Sequence, residues 1–168
     1  MTDDRLDRLW TPQRLTYVKE DSGAKACPFC LTTDEHGEPS NNLVVARGDL
    51  VFAVMNLYPY NPGHLLICPY RHVPDYTDLS VAEAAEFAAY TQTAMRVIRA
   101  TSSAHGFNIG MNQGAIAGAG IAAHLHQHVV PRWGGDTNFI SVIGRTKTLP
   151  QLLEDTRDLL IKAWAAEN

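Results

Sequence analysis

The stretch from Ser80 to Ala104 limits the possible folds more than any other part of the chain. Ser80-Val81-Ala82-Glu83 has the form of a capping box. In such a box the serine oxygen accepts from the third helical N–H and the glutamate reaches back to the cap. Beyond it Ala84, Phe87, Ala88, Thr91, Met95 and Ile98 recur at helical spacing. This predicts one long helix over 81–104 that stops before Gly106. Everything around it is short, apolar and bounded by turn residues. Leu43–Val45 and Leu50–Met55 read as strands split by Arg47-Gly48-Asp49. Tyr58-Pro59-Tyr60-Asn61-Pro62-Gly63 is turn chemistry, because proline presets φ and glycine permits positive φ. His64–Cys68 follows as a strand ended by Pro69. Past the helix, Phe107–Met111, Leu125–Val130 (ended by Pro131) and Phe139–Ile143 read as further strands. Adjacent hairpins around a single helix predict an α+β fold on an antiparallel sheet, not a doubly wound parallel one.

The flanks complete the plan. Residues 1–26 lack periodicity and read as an N-terminal arm, 27–143 as the core, and 149–166 as a C-terminal helix of the same single domain over 1–168. Pro150 suits the first turn of that helix. Leu152, Leu153, Thr156, Leu159, Leu160, Ala163 and Trp164 mark its apolar face. The chain of 168 residues is long enough for one substantial core. No apolar run approaches the ~20 residues of a membrane span, and Met1–Trp10 has no secretory apolar region. No membrane partner is therefore expected. A formal net charge of −4 argues against a nucleic-acid partner but not against a small anion held by local donors. Cys27, Cys30 and Cys68 are too few and too oddly spaced for a disulfide framework, which points to a reducing cytoplasm.

The chemistry concentrates in His124-Leu125-His126-Gln127-His128-Val129-Val130. Alternate residues of a strand face the same side, so three imidazoles would line one face. The plain reading is a polar strand face or a surface metal patch. Strict alternation behind the Gly/Ala-rich loop Asn112–Ala123 favours a reactive site, since imidazole serves as acid, base, nucleophile and metal ligand. Cys27-Pro28-Phe29-Cys30 can supply two of the four ligands of a tetrahedral zinc, act as a redox pair, or be two small buried hydrophobes.

His-Leu-His-Gln-His-Val-Val resembles the motif of the histidine triad family, and Asn61-Pro62-Gly63-His64-Leu65-Leu66-Ile67-Cys68-Pro69 resembles that family's approach to the nucleotide. The likeness spans about 27–143. The tail Val130-Pro131-Arg132-Trp133-Gly134-Gly135-Asp136-Thr137-Asn138-Phe139 is similar to that of bacterial members that are diadenosine tetraphosphate phosphorylases. The resemblance implies a sheet of about five antiparallel strands, with the long helix and the C-terminal helix packed against it. It implies that His126 attacks the α-phosphate and becomes nucleotidylated, and that His128 binds phosphate oxygen and assists the leaving group. His124 would orient its neighbours and His64 would support them. Asn56 would hold the ribose, while Asn112, Gln113 and the backbone of Gly118-Ala119-Gly120 would face the phosphates. Trp133 would either meet a base or simply pack.

Cys27, Cys30, His72 and His124 match the ligands of a structural zinc that some triad proteins carry. No metal is required for the covalent step. The expected partners are an adenine dinucleotide or nucleotide and inorganic phosphate, in a homodimer or homotetramer. Phosphate as acceptor would yield ATP and ADP from diadenosine tetraphosphate. Water as acceptor would make the chain a hydrolase of dinucleoside polyphosphates or nucleoside phosphoramidates. A zinc-stabilised nucleotide-binding module without turnover is the reading from another class. Two departures stand out. Gln127 replaces the usual apolar residue and should face away from the nucleotide. Gly120-Ile121-Ala122-Ala123 lacks the Ser or Thr that often precedes the triad.

Overall fold

The computed structural model describes residues 27–30, 43–136 and 151–167. Strands β1 (Val44–Arg47), β2 (Val51–Met55) and β3 (Leu65–Pro69) precede helix α1 (Val81–Ser102), followed by β4 (Gly106–Met111), β5 (Gln127–Arg132) and helix α2 (Leu153–Glu167). The five strands form one antiparallel sheet in the order β1-β2-β3-β5-β4. The α+β fold expected from the hairpins is the one observed. The strand expected at Phe139–Ile143 and the residue Pro150 lie outside the described residues.

The central strands β2 and β3 are buried on both faces, which is why they read as continuous apolar runs. Val51, Ala53, Met55, Leu65, Ile67 and Val129 pack toward α1 with Phe87, Val97 and Ile98. Phe52, Val54, Leu66 and Cys68 form the opposite face with Phe29. Burying a side chain such as Phe52 stabilises the fold by about 1.5–3 kcal/mol. Cys68 belongs to this core as expected, and burial pushes its thiol well up from its ordinary range.

Helix α1 begins with the expected capping box, both halves of which are formed. Glu83 does more than cap. Its carboxylate also takes the Arg71 guanidinium through two bonds of 2.7 Å, which ties the segment after β3 to the helix start. Those bonds to Arg71 and the Ser80 backbone hold its carboxyl down at about 2. The helix ends at Ser103, a left-handed cap with φ 51, rather than continuing to residue 104. Farther along α1, Glu86 accepts the backbone N–H groups of Asp49 and Leu50, each at 2.8 Å. A Cβ on Gly48 would collide with that carboxylate and with the Tyr90 hydroxyl, so a larger residue there would have to displace Glu86 from the turn.

Strand β5 differs from expectation at both ends. It starts at Gln127 rather than Leu125, because Leu125 N–H bonds Val73 O instead of β3. It runs through Pro131 to Arg132. Pro131 costs no bond to β4, because its peptide edge faces away from β4, where the Asn61 side chain bonds Pro131 O at 2.7 Å. In α2 the residues Thr156, Leu160 and Trp164 are buried, Trp164 against Tyr90, whereas Leu152 and Leu159 of the expected apolar face are exposed.

Candidate active site

The sheet face opposite α1 carries the histidines. His126 lies just before β5 and His128 within it, their ring centroids 5.3 Å apart. His64 enters from the start of β3, directed by the Asn61-Pro62-Gly63 turn, where Gly63 takes φ 76. His64 is fully buried and its Nε2 lies 3.0 Å from His128 Nδ1.

Hydrogen bonds assign every tautomer in this group. The backbone N–H of Tyr60 donates to His64 Nδ1 at 3.0 Å, and Asn56 Nδ2 adds a longer contact of 3.3 Å. His64 therefore carries its hydrogen on Nε2 and donates to His128 Nδ1. His128 in turn carries its hydrogen on Nε2. His126 Nδ1 donates to the His124 carbonyl at 2.8 Å, leaving a lone pair on Nε2, for which the described residues provide no partner. Burial favours the neutral ring and pushes the His126 imidazolium down from its ordinary range, outweighing the bond to His124 O, which favours the charged ring. A neutral ring is what a nitrogen nucleophile requires.

His124 points to a second cluster. Its Nε2 donates to Pro69 O at 2.9 Å, which leaves Nδ1 to face the thiols. Nδ1 lies 3.5 Å from Cys27 Sγ and 3.5 Å from Cys30 Sγ, while Cys30 Sγ lies 3.1 Å from His72 Nδ1. The four ligand atoms all fall within 4.8 Å of one another, a Cys2His2 group able to hold a metal. Burial is the main cause lowering the His124 imidazolium. The two clusters meet at Phe29, whose ring lies 5.5 Å from that of His124 and 5.2 Å from that of His126.

The remaining expected site residues are distributed more widely. Asn112 lines a cavity of about 460 Å³ together with His128. Gln113 accepts the Tyr76 backbone N–H at 2.8 Å. Gly118 and Ala119 N–H bond Ala115 O and Gly114 O inside their own turn. Asn56 Oδ1 accepts from Tyr58 N–H at 3.0 Å. Trp133 Nε1 bonds Ser102 O at the end of α1, and its ring lines a different cavity, of about 490 Å³, between α1 and α2. Gln127 turns to the helix side as expected and donates to Thr91 Oγ1 at 2.8 Å. His105 is exposed and accepts from Gly134 N–H. His36 and Trp10 lie outside the described residues. Sequence reasoning missed Phe29 and Tyr60, whose ring stacks on His128 at 5.6 Å and 13°. Their only sequence signal was an aromatic inside each of two motifs already singled out.

Comparison with known proteins agrees with this geometry. The family model described as HIT domain matches residues 38–135. An AP-4-A phosphorylase of Mycobacterium tuberculosis is 54% identical over 98% of this chain and 87% of its own length. An asymmetrical bis(5'-nucleosyl)-tetraphosphatase of Schizosaccharomyces pombe is 36% identical over 58% of this chain and 53% of its own. The crystal structure of a zinc-bound histidine triad family protein from Mycobacterium smegmatis superposes with a TM-score of 0.67 at 28% identity, covering 86% of this chain and 97% of that one.

Proposed function

This chain belongs to the HIT domain family, and on that premise we propose that it is a diadenosine tetraphosphate phosphorylase acting through a nucleotidylated His126. The observation that carries this reading is the tautomer pattern: a neutral His126 with its Nε2 lone pair open, beside a His128 that carries its hydrogen on Nε2. The likeness to the mycobacterial phosphorylase, over nearly the full chain, supports the choice of substrate.

His126 Nε2 attacks the α-phosphorus, and the bond from that phosphorus to the bridging oxygen breaks. The leaving oxygen takes the electron pair, and His128 Nε2–H stabilises its developing charge. The leaving product is ATP. The His124 carbonyl holds the positive charge that His126 gains at Nδ1–H. Inorganic phosphate then attacks the same phosphorus, the P–N bond breaks, and its electron pair returns to His126 with release of ADP. His64 keeps His128 in the donating tautomer. Asn56, bonded to both His64 and the Tyr58 backbone, braces that ring. Asn112 adds an amide beside His128.

Cys27, Cys30, His72 and His124 would hold a zinc ion. Bonds of about 2.3 Å to sulfur and 2.0 Å to nitrogen give a tetrahedron whose S–N edges are about 3.5 Å, which the 3.1–3.5 Å separations fit. The Pro69 carbonyl on the far nitrogen of His124 is the kind of partner that orients a ligating histidine. Such a zinc, with four protein ligands, would tie residues 27–30 to the segment before β5.

The packing of α2 on α1 and β1 supports a single domain. The outer edge of β4, with Ile109 exposed, supports assembly with a second copy. No helix of the described residues is long and apolar enough to cross a membrane.

The test is incubation with diadenosine tetraphosphate, with and without inorganic phosphate, followed by chromatography of the nucleotides. The expected result is equimolar ATP and ADP only when phosphate is present. ATP and AMP formed without phosphate would instead make the chain a hydrolase, and binding without turnover would leave a nucleotide-binding module.

A further inference from the structure

Beyond His128 the reactive face of the sheet continues along β5 to a residue that no step above uses. His128, Val130 and Arg132 alternate on one face of that strand. On β4, Gly110 pairs directly with His128, and Asn108 with Val130. Directly paired residues point the same way from the sheet. The missing side chain at Gly110 therefore leaves a gap beside the His128 ring, and a Cβ built there meets nothing within 4 Å. This gap belongs to the cavity of about 460 Å³ lined also by Tyr60, Asn112 and Arg132. Among the described residues no carboxylate lines that cavity, and Arg132 and His128 are its basic groups.

Arg132 is held from behind. Its Nε and Nη2 donate to Asp136 at 2.5 and 2.9 Å, and Nη1 donates to Asn108 Oδ1 at 2.8 Å. Asp136 belongs to the other cavity, between α1 and α2. It is anchored in turn by Asn61 Nδ2 at 2.9 Å. A guanidinium has five N–H groups. The two that remain, one on each terminal nitrogen, find no acceptor among the described residues. The Asn108 bond draws Nη1 to the level of the Val130 pair, one step along the strand from His128. A planar donor fork fixed at one edge and open at the other suits a phosphate oxyanion.

We propose that this cavity is the acceptor site, in which Arg132, Asn108 and the space above Gly110 hold the inorganic phosphate that attacks nucleotidyl-His126. The proposal rests on the phosphorylase reading and names the side chains that would make phosphate, rather than water, the acceptor. Entering and leaving groups at phosphorus lie roughly in line. The departing polyphosphate and the incoming phosphate thus occupy in turn the same side of the α-phosphorus, opposite His126. In the second step a phosphate oxygen forms the new P–O bond, the P–Nε2 bond breaks, and its electron pair neutralises the His126 ring. No other reactant is needed.

The test measures KM for inorganic phosphate at saturating diadenosine tetraphosphate, and the ADP to AMP ratio at fixed phosphate. Arg132→Gln should raise that KM about 10- to 100-fold, the loss expected for a charge-assisted pair, and shift product from ADP toward AMP. Arg132→Lys should recover part of the loss. Gly110→Val should raise the same KM without touching the Arg132–Asp136 pair. It keeps the proposal testable if the arginine variants fold poorly, because valine suits a strand and the space is open. A phosphate-dependent wild type whose folded variants keep KM within about twofold would overturn the site and leave the phosphorylase reading standing. A wild type that forms AMP and no ADP at any phosphate concentration would overturn both.

Discussion

Two histidine clusters lie on either side of Phe29, and they use the same side chain for opposite purposes. Around His124 the ring nitrogens converge on thiols. Around His126 they form a relay that begins at the Tyr60 backbone. The deciding atom in each case is the acceptor of the other ring nitrogen. Pro69 O takes Nε2–H of His124 and turns its Nδ1 toward Cys27 and Cys30. His124 O takes Nδ1–H of His126 and leaves Nε2 open. Residues two apart in one motif thus acquire different chemistry from two backbone carbonyls.

The comparison breaks most completely at His126. His126→Ala should lower turnover of diadenosine tetraphosphate by roughly 10⁴-fold or more, while metal content, read by mass spectrometry of the purified protein, stays at the wild-type value. The converse variant is Cys30→Ser. Its metal content should collapse and its Tm fall by roughly 10 °C or more, while the folded fraction at low temperature still forms a nucleotidyl-enzyme detectable by intact mass. Loss of that intermediate in the folded variant would mean the two clusters are not separable.

Removing the relay should have a smaller effect. His64→Phe keeps the ring volume but removes the donor to His128, and kcat should fall about 10- to 100-fold with little change in KM for the dinucleotide. An unchanged kcat would show that His128 keeps its tautomer without His64.

The smallest effect lies at Glu83, which anchors Arg71, the neighbour of His72 in the Cys2His2 cluster. Glu83→Gln should cost about 2 kcal/mol at neutral pH by denaturant titration. The Glu83 carboxyl is held at about 2 in the fold, against an ordinary 4.5. The wild-type advantage is therefore complete above about pH 5 and fades as pH falls through 4.5 toward 2. A difference that stays constant across that range would remove the carboxylate from the account.

Most of the frame was legible along the chain. The capping box at Ser80 and Glu83, the Pro62-Gly63 turn and the apolar runs of β2 and β3 are local signals, and each formed where expected. The end of α1 and the start of β5 were less legible. Leu125, bonded to Val73 rather than β3, answers to a distant partner, and the left-handed Ser103, bonded to Arg99 O, closes α1 without the glycine that usually marks such a cap. The apolar periodicity of α2 likewise overstated its buried face, since Leu152 and Leu159 are exposed.

By itself the sequence determined which reactive groups the chain possesses and the order of its strands and helices, because periodicity, capping and turn chemistry act within a few residues. What the histidines can do was decided only by tertiary structure. Cys27 lies 97 residues from His124, and His64 lies 64 from His128. The side chains of Arg132 and Asn108 become one wall of a cavity only through the pairing of β4 with β5. A tautomer or a cavity wall depends on which atoms are within about 3 Å, and that distance is set by the folded sheet rather than by separation along the chain.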